Sequence, residues 1–447
     1  MKRDPVLTAA EMKAAEESVA RSEDDLWQLM LTAGQRAAEH IAIRAGSRPI
    51  LVLCGPGNNG GDGSVAAVRL REMGCDIRLA ELMPPMSAMA RRARALWTGP
   101  VEAAAEASAR PVFVDAGFGS GQSRPLSPDH RLQLGRLAND AELTIALDLI
   151  SGTGCDDGAD LGAPYRAAET LVFGAWKPAH VLEPAAAMAG RLRLVDFGIG
   201  TPASKLHRNA PPTPVAKAEH AHKYERGSVL VALGAMPGAG YLAAKAAQRG
   251  GAGYVTVTGE SDAIGPGSLV VKAYPALERG RLDALVVGPG LGTDDAASEA
   301  LGKLLSLTLP TVLDADALAL LTPDTVPGGA VLTPHEGEFE RFFGTLEGSK
   351  IERARAAAKR AKAVICLKGR DTVIAAPDGE AVVNTHAHRR LATAGSGDVL
   401  AGLIGAELAS GREPFEAACA AVWRHGDAGI RGRDGLIAED LLSLLRA

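Results

Sequence analysis

The apolar run Ile50-Leu51-Val52-Leu53-Cys54, followed at once by Gly55-Pro56-Gly57-Asn58-Asn59-Gly60-Gly61-Asp62-Gly63, decides the architecture of the first half of this 447-residue chain. A short, fully apolar run is typical of a strand covered on both faces, and the alanine-rich residues 65–73 predict a helix after it. A glycine turn between a strand and a helix lets several backbone N–H groups approach an anion. The stretch therefore predicts a ligand site at the carboxyl end of a parallel strand.

Similar apolar runs alternate with helical stretches along the whole chain. In the first half they lie at residues 76–80, 112–114, 143–147, 170–173 and 193–197, with a further helix at residues 86–97. Residues 206–221 are proline-containing, polar and without apolar period, as in a linker. The alternation then restarts, with strands expected at residues 229–233, 254–258, 284–287, 311–313, 364–367, 372–376 and 381–383. We predict two tandem α/β domains, residues 1–205 and 222–447, the first a doubly wound parallel sheet.

Composition excludes several classes of protein. With 48 basic and 53 acidic residues, the chain has no basic surplus for nucleic acid or an anionic membrane. Its five cysteines are scattered and form no CxxC pair, which indicates a reducing compartment rather than a disulfide frame or a zinc site. The charged N-terminus and the lack of long apolar runs predict a cytoplasmic protein with no membrane partner. The alanine-rich helices leave room for a homo-oligomer.

Polar residues follow several of the predicted strands of the first half. Asp115 comes after one strand, Asp148 after the next, and Lys177 after a third. Each taken singly is explained equally well as a capping or turn residue. Because the carboxyl ends of parallel strands meet at one sheet edge, their convergence with the glycine loop favours a site.

A second glycine turn lies near the end of the chain. Ala394-Gly395-Ser396-Gly397-Asp398 opens a helix predicted over residues 399–408. Backbone donors at such a helix start can hold phosphoryl oxygens while an aspartate takes a proton from a hydroxyl group. A purely structural role for Asp398 as the N-cap of the helix explains Gly395-Ser396-Gly397-Asp398 about as well. Three more loops at strand ends favour a catalytic site over a purely structural turn. They are Gly288–Gly292, the loop of His335 at residues 333–338, and residues 368–372.

Residues 6–200 resemble the epimerase domain of the NAD(P)H-hydrate repair enzymes, the YjeF N-terminal domain, whose hallmark glycine run stands complete at residues 55–63. The resemblance implies a Rossmann-like fold and interconversion of the R and S forms at C6 of the hydrated nicotinamide ring. It implies a potassium ion on Asn59, Asp115 and Ser151. It also implies that the hydrated dinucleotide is bound by Asn58, Asn59, Gly60, Gly61, Asp62, Gly119, Ser120, Gly121, Gln122, Ser123, Arg124, Pro125 and Asp148. Ile150 and Ala179 depart from the proline and glycine usual in the family.

The epimerase reaction needs a protonatable group near C6 of the substrate ring. Within the resemblance, we expect Asp115 to transfer this proton and Lys177 to assist it.

Residues 222–447 resemble the ribokinase-like dehydratase domain of the same repair system. His222-Lys223-Tyr224, Gly251-Ala252-Gly253, Gly290-Leu291-Gly292 and Gly397-Asp398-Val399-Leu400-Ala401-Gly402 follow the order of the family. The resemblance implies that Ala239, Gly292, His335 and Asp398 contact the hydrated dinucleotide. It places the nucleotide on Lys368, Gly369, Arg370, Asp371, Thr372 and Gly397. At residues 386–390 the chain departs from the Gly-Asn-Pro that the family often carries there.

The reaction implied for the second domain follows from the difference between hydroxide and phosphate as leaving groups. Hydroxide leaves C6 poorly, whereas phosphate leaves well. Asp398 as base would let the C6 hydroxyl attack ADP, with Mg²⁺ neutralising the nucleotide. We therefore expect a bifunctional repair enzyme whose substrates are NADH-hydrate, NADPH-hydrate and ADP.

Two other functions compete with this prediction. One is a ribokinase-type small-molecule kinase carrying a dinucleotide-sensing front domain. The other is a front domain that only binds proteins. Recovery of NADH from its hydrate with ADP distinguishes the repair enzyme from both.

Overall fold

The computed structural model describes residues 3–214, 225–258, 268–272 and 280–446. The chain forms two compact units, Asp4–Ser204 and Lys205–Ala447, the latter with Met1–Arg3. We call them the first and second units. Within the described ranges, no helix is both long and apolar enough to cross a membrane.

The first unit is one parallel sheet between two layers of helices. Its strand order, β3-β2-β1-β4-β5-β6-β7, reverses direction between β1 and β4. In open sheets of this kind, ligands bind at the carboxyl ends of the strands where the order reverses. The strands are β1 (Ile50–Cys54), β2 (Ile77–Glu81), β3 (Val101–Ala103), β4 (Val112–Ala116), β5 (Leu143–Leu147), β6 (Glu169–Phe173) and β7 (Arg191–Val195). The helices are α1 (Ala9–Val19), α2 (Glu23–Ala45), α3 (Asn58–Glu72), α4 (Ala88–Arg94), α5 (Pro128–Asn139) and α6 (Ala185–Met188).

Strand β1 shows why its sequence is apolar throughout. Ile50 and Val52 pack in the core that includes α2 and α3, whereas Leu51 and Leu53 pack in the opposite core that includes α5. Alternating side chains of a central strand thus face two apolar layers, and the strand is buried along its length.

The second unit is a larger mixed sheet, in the order β11-β10-β9-β12-β13-β14-β15-β16-β17-β8. Strands β15, β16 and β17 pair antiparallel, and the other pairs are parallel. The strands are β8 (Leu206–Arg208), β9 (Ser228–Ala232), β10 (Tyr254–Thr258), β11 (Val270–Lys272), β12 (Ala284–Val287), β13 (Thr311–Leu313), β14 (Val331–Leu332), β15 (Val364–Leu367), β16 (Thr372–Ala375) and β17 (Ala381–Asn384). The helices are α7 (Pro237–Gly250), α8 (Asp295–Leu305), α9 (Asp316–Leu320), α10 (Glu336–Phe343), α11 (Lys350–Ala361), α12 (Ser396–Ala409), α13 (Pro414–Arg431) and α14 (Ala438–Leu444).

Helix α12 is the buried centre of the second unit. Apart from Gly397 and Asp398, all of its residues are buried, as expected for a helix that is apolar on most sides. Its buried Glu407 is paired with Arg412 and Arg424. Gly402 allows α7 to pack closely, because a β-carbon there would lie 2.0 Å from the Ala243 carbonyl oxygen. This packing fixes the start of α12, and Asp398 with it.

The predicted alternation of strands and helices is confirmed; most boundaries shift by a few residues, and three of the differences concern the linker, the last strand of the first unit and the glycine loop. Residues 206–208 form strand β8 beside β17 instead of belonging to the linker. Strand β7 ends at Val195, before the predicted residues 193–197 are complete. Helix α3 begins at Asn58, because the glycine loop itself provides its first turn. The short strands β3 and β11 were not predicted. His222-Lys223-Tyr224 and residues 215–221 of the predicted linker lie outside the described residues.

Candidate active sites

The first unit contains a cavity of about 750 Å³ at the carboxyl ends of its central strands. This volume suits a ligand of cofactor size. Helices α1 and α2 supply apolar wall residues such as Met12, Leu29 and Met30. The polar lining consists of Lys13, Glu16, Glu17, Asn58, Asn59, Asp62, Ser120, Gln122, Asp148 and Lys177.

The glycine loop is required by close approaches of the backbone. A β-carbon on Gly55 would lie 1.6 Å from the Gly117 carbonyl oxygen, and one on Gly60 would lie 2.0 Å from the Gly55 carbonyl oxygen. Gly57 is the N-cap of α3 and has no side chain with which to cap it. The first N–H groups of α3 therefore remain free of a side-chain acceptor and are available to a ligand.

Asn59 is buried with both polar atoms of its side chain unmatched. Neither Oδ1 nor Nδ2 has a hydrogen-bond partner among the described residues. The side chain lies against the Gly119 turn, where a β-carbon would be 3.0 Å from Asn59 Cβ. Because a buried amide without partners costs free energy, this arrangement indicates a ligand or a cation at Asn59.

Asp115 holds two loops together beneath the cavity. It is fully buried, and its Oδ1 accepts hydrogen bonds from Gly117 N at 2.8 Å and Ser151 Oγ at 2.7 Å. Its Oδ2 accepts from Ser151 N at 3.0 Å and Tyr165 Oη at 2.5 Å. Burial raises the pKa of Asp115, although these donors oppose the shift. Four donors thus occupy the Asp115 carboxylate, which favours a structural role, and the proton transfer expected of Asp115 stays a prediction.

Lys177 and Asp148 form a buried ion pair that lines the cavity. Lys177 Nζ donates to Asp148 Oδ1 at 2.5 Å and to the Phe173 carbonyl oxygen at 2.6 Å. His180 fixes the backbone of both residues. Its Nδ1 accepts from Lys177 N at 2.9 Å, so Nε2 carries the proton and donates to the Asp148 carbonyl oxygen at 2.7 Å.

Two further carboxyl groups face this pair. Burial, with the charges of Asp148 and Glu16, raises the pKa of Asp62 well above its usual value. Burial raises the pKa of Glu16 to about 7, although Lys177 opposes the shift. Sequence reasoning found Asp62 but missed Glu16, which lies far from the glycine loop on α1.

The remaining predicted substrate residues divide into three groups. Gly119, Ser120, Gly121 and Gln122 line the cavity together with Asn58, Asn59 and Asp62. Gly60 and Gly61 are buried inside α3, where they allow close packing. The structure leaves Ser123, Arg124 and Pro125 exposed beyond the cavity lining.

In the second unit, Asp398 lies in the first turn of α12 beside a lysine and an aspartate. Lys368 Nζ donates to Asp314 Oδ1 at 2.8 Å. A β-carbon on Gly397 would lie 3.5 Å from that Nζ and 3.9 Å from Asp314 Oδ2. Burial and the charge of Asp314 raise the pKa of Asp398 to about 6, although Lys368 opposes the shift. Gly395, the N-cap, has a φ of 84° and no side chain, so the first N–H groups of α12 lack a side-chain acceptor.

Lys368 keeps its charge in this place. Burial alone would lower its pKa, but Asp314 and Glu338 outweigh burial and raise the pKa of Lys368. The structure thus brings an ammonium group and a helix start together beside the Asp398 carboxyl group, and the first two of these are suited to bind phosphoryl oxygens. The sequence reasoning did not single out Asp314, although it follows directly after the buried strand β13.

The other predicted residues of the second unit lie in a loop or at the start of a helix. Gly292 donates its N–H to Asp316 Oδ2 at 2.9 Å, and Ala239 lies in the first turn of α7. His335 caps α10, because its Nδ1 accepts from Gly337 N and Glu338 N. This cap gives His335 a structural role at the start of α10.

The predicted nucleotide loop is a closed turn. Thr372 Oγ1 donates to the Gly369 carbonyl oxygen at 2.8 Å, and Asp371 Oδ1 accepts from Lys350 Nζ at 2.6 Å. Arg370 is exposed. Of this set, the structure brings Lys368 alone into contact distance of Gly397.

Comparison with known proteins covers both units. Residues 27–179 match the family model of the YjeF-related protein N-terminus, and residues 229–442 match that of NAD(P)H-hydrate dehydratase. The bifunctional NAD(P)H-hydrate repair enzyme Nnr of Thermosynechococcus vestitus is 32% identical, over 98% of this chain and 96% of that protein. The enzyme of the same name from Salinibacter ruber is 33% identical, over 99% of this chain and 95% of that protein.

Solved structures resemble the second unit. An ADP/ATP-dependent NAD(P)H-hydrate dehydratase from Bacillus subtilis, co-crystallised with ATP/Mg²⁺, is 30% identical with a TM-score of 0.47. The match covers 53% of this chain and 92% of that one. The near full-length relatives, together with the two family models, establish the family. This chain belongs to the bifunctional NAD(P)H-hydrate repair enzymes, with an epimerase domain followed by a dehydratase domain.

Proposed function

We propose that the first unit interconverts the R and S forms of NAD(P)H-hydrate at C6, and that the second unit dehydrates the S form with ADP, releasing AMP and phosphate. The observation that carries the proposal is the placement of Asp398 in the first turn of α12 beside Lys368. A base at a phosphoryl-binding helix start is suited to activate a hydroxyl group for phosphoryl transfer.

The dehydration proceeds through a phosphate ester. Asp398 takes the proton of the C6 hydroxyl group, and the oxygen attacks the terminal phosphorus of ADP. The bond from that phosphorus to the bridging oxygen breaks, and AMP leaves. Phosphate then leaves C6 with the electrons of the C–O bond, and the C5 proton passes to water, which restores the C5=C6 double bond. Asp398 releases its proton to solvent. Lys368 and the first N–H groups of α12 hold the phosphoryl oxygens throughout.

The residues around Asp398 fit a magnesium ion on the nucleotide. Asp314 Oδ2 makes no hydrogen bond with the described residues and lies near the Gly397 position. Magnesium is commonly held by one or two carboxylates together with substrate phosphates. Asp314 would hold the ion, which neutralises charge on the nucleotide when bound.

The epimerisation is a reaction of a carbinolamine, because C6 carries both a hydroxyl group and N1. Removal of the hydroxyl proton opens the C6–N1 bond and leaves an aldehyde, while N1 gains a proton. Rotation about C5–C6 and closure on the other face of the aldehyde give the opposite configuration. We assign the donation of the proton to N1 to Lys177, which is held by Asp148 and lines the cavity. In this scheme Lys177 takes the catalytic place predicted for Asp115.

The oxygen atoms of Asn59 and Ser151 also fit a potassium ion. Asn59 Oδ1 is unmatched, and Ser151 Oγ has one lone pair left after it accepts from Phe118 N at 2.8 Å. Asp115, whose oxygens are all used, would contribute negative charge rather than a direct bond. Potassium, when bound, would fix the loops that face the substrate.

The homo-oligomeric state and the cytoplasmic location stay predictions.

The test follows the products of the full chain. With the S hydrate of NADH and ADP, we expect AMP, phosphate and NADH in equal amounts, and none from Asp398→Ala. A stable phosphorylated alcohol in place of NADH would instead establish a kinase. Recovery of NADH by Asp398→Ala at the parental rate would remove Asp398 from the reaction.

A further inference from the structure

Helix α1 is fixed against the wall of the first unit's cavity at its beginning. Thr8 and Glu11 form a capping box, and Leu7 N donates to the Trp176 carbonyl oxygen at 2.7 Å. Met12 is buried, and its Cε lies 2.7 Å from the position of a β-carbon on Gly174. The helix is therefore held against the loop that leads from β6 to Lys177.

Glu16 follows Met12 by one turn on the same face of α1, because residues four apart in a helix are stacked. It lines the cavity together with Asp62, Asp148 and Lys177. Its carboxylate makes no hydrogen bond or ion pair with any residue that the structure describes. The neighbouring acids have structural partners: Glu11 caps the helix, and Glu17 lies 3.7 Å from Lys13. A purely structural role does not account for Glu16.

The charges around Glu16 come from several elements. Asp62 belongs to α3, Asp148 follows β5, Lys177 follows β6, and Lys13 and Glu17 lie on α1 itself. Helix α2 contributes only apolar side chains to the cavity lining. Burial among these groups raises the pKa of Glu16 to about 7, with Lys177 opposing. Both protonation states are therefore populated near neutral pH, as an effective general base requires.

We propose that Glu16 is the proton acceptor of the epimerase site, facing Lys177 across the carbinolamine. Glu16 takes the proton of the C6 hydroxyl group while the C6–N1 electron pair moves to N1, which receives a proton from Lys177. On closure, N1 returns its proton to the Lys177 amine and the aldehyde oxygen recovers the proton held by Glu16. No proton is consumed overall. Glu16 lies outside residues 27–179, which the family model matches, and the inference rests on the proposed epimerase function.

The experiment measures conversion of the R into the S hydrate of NADH by the full chain without added nucleotide, so that dehydration does not consume the product. Glu16→Gln is compared with Glu16→Asp and with Glu39→Gln, which changes an exposed glutamate on α2. We expect Glu16→Gln to lower kcat by about 100-fold or more, the usual loss of a general base, with a smaller change in KM. Glu16→Asp should retain part of kcat, and Glu39→Gln all of it.

The pH profile separates proton transfer from a structural effect. The acceptor works as the carboxylate, so the parental kcat should fall as the pH drops below about 7 and Glu16 becomes protonated. Glu16→Asp should keep an acidic limb, and Glu16→Gln should lose it. ADP-dependent dehydration of the S form, measured separately, should be equal in all variants and reports that the second unit is intact. The partial kcat of Glu16→Asp reports that the first unit is folded.

Two results would overturn the inference. One is a Glu16→Gln enzyme with the parental kcat and acidic limb. The other is a rise in KM alone, which would make Glu16 a binding residue. If the parental chain itself fails to interconvert the two forms, the proposed function of the first unit fails instead, and the two failures are thus distinguishable.

Discussion

Lys177 Nζ lies 2.5 Å from Asp148 Oδ1, and the lysine side chain is only 1% exposed. The ammonium group depends for its charge balance on Asp148, because it is cut off from solvent. Asp148 adopts a φ of 62°, an uncommon backbone conformation for a residue other than glycine. Such a conformation persists when surrounding contacts impose it, and here the hydrogen bond from His180 Nε2 to the Asp148 carbonyl oxygen does so.

We predict that Asp148→Asn destabilises the first unit by about 3–5 kcal/mol, because it leaves a buried ammonium group without its carboxylate. The double variant Asp148→Asn/Lys177→Met should regain part of this loss, since the uncompensated charge is then gone. Urea unfolding of the full chain, followed by a probe of the first unit, measures both. Equal stability of the single and double variants would contradict the importance of the pair.

Tyr165→Phe tests whether Asp115 is a structural residue. The substitution removes the hydrogen bond to Asp115 Oδ2, and we expect a loss of about 1–3 kcal/mol in the free energy of unfolding. The kcat for R-to-S conversion should stay within about threefold of the parent, because general acid–base catalysis contributes much larger factors. A loss of kcat without a loss of stability would return Asp115 to the catalytic role that its burial argues against.

Asn59→Ala tests the proposed cation. Replacing NaCl by KCl at constant ionic strength should raise the Tm of the parental first unit, because potassium binds only the folded chain. Since Asn59 Oδ1 is the unmatched oxygen, the variant should lose this shift. The potassium site lies elsewhere if the shift persists in Asn59→Ala.

The pH dependence of the dehydratase should follow Asp398. Its carboxyl group has a pKa of about 6, and only the ionised form can accept the C6 hydroxyl proton. With ADP saturating, kcat for the S form should therefore fall as the pH drops below about 6 and level off above it. A rate that is constant from pH 5 to 8 would show that Asp398 does not titrate in the reaction.

The sequence predicted the strands well because many of them are short, buried and apolar, as β1 and β12 show. Their order along the chain placed Asp148, Lys177 and the glycine loop at one sheet edge. Strand β8 was missed because its polar sequence, Leu206-His207-Arg208, pairs at the edge of the sheet, where tertiary contact overrides local pattern.

The roles of individual carboxylates depend on contacts that no pattern encodes. Asp115 lies near the end of β4 and Asp148 directly follows β5, so their positions in the sequence look alike. Yet Asp115 accepts a hydrogen bond from Tyr165, which is distant in sequence, whereas Asp148 pairs with Lys177. Glu16 reaches the cavity because Met12 packs at Gly174 and Leu7 bonds to Trp176, which together hold α1 against the wall. The signal available in the sequence was the capping box at Thr8, which fixes the start of α1 but not the wall against which it packs.

The central claim is that the two units act in succession on one damaged molecule. The direct measurement is the rate and extent of NADH recovery from an equal mixture of R and S hydrates with excess ADP. We expect the parental chain to recover the whole mixture in one continuous phase. Lys177→Met should recover the S half quickly and the R half only at the uncatalysed rate, and Asp398→Asn should recover nothing. Rapid recovery of both halves by Lys177→Met would contradict the account.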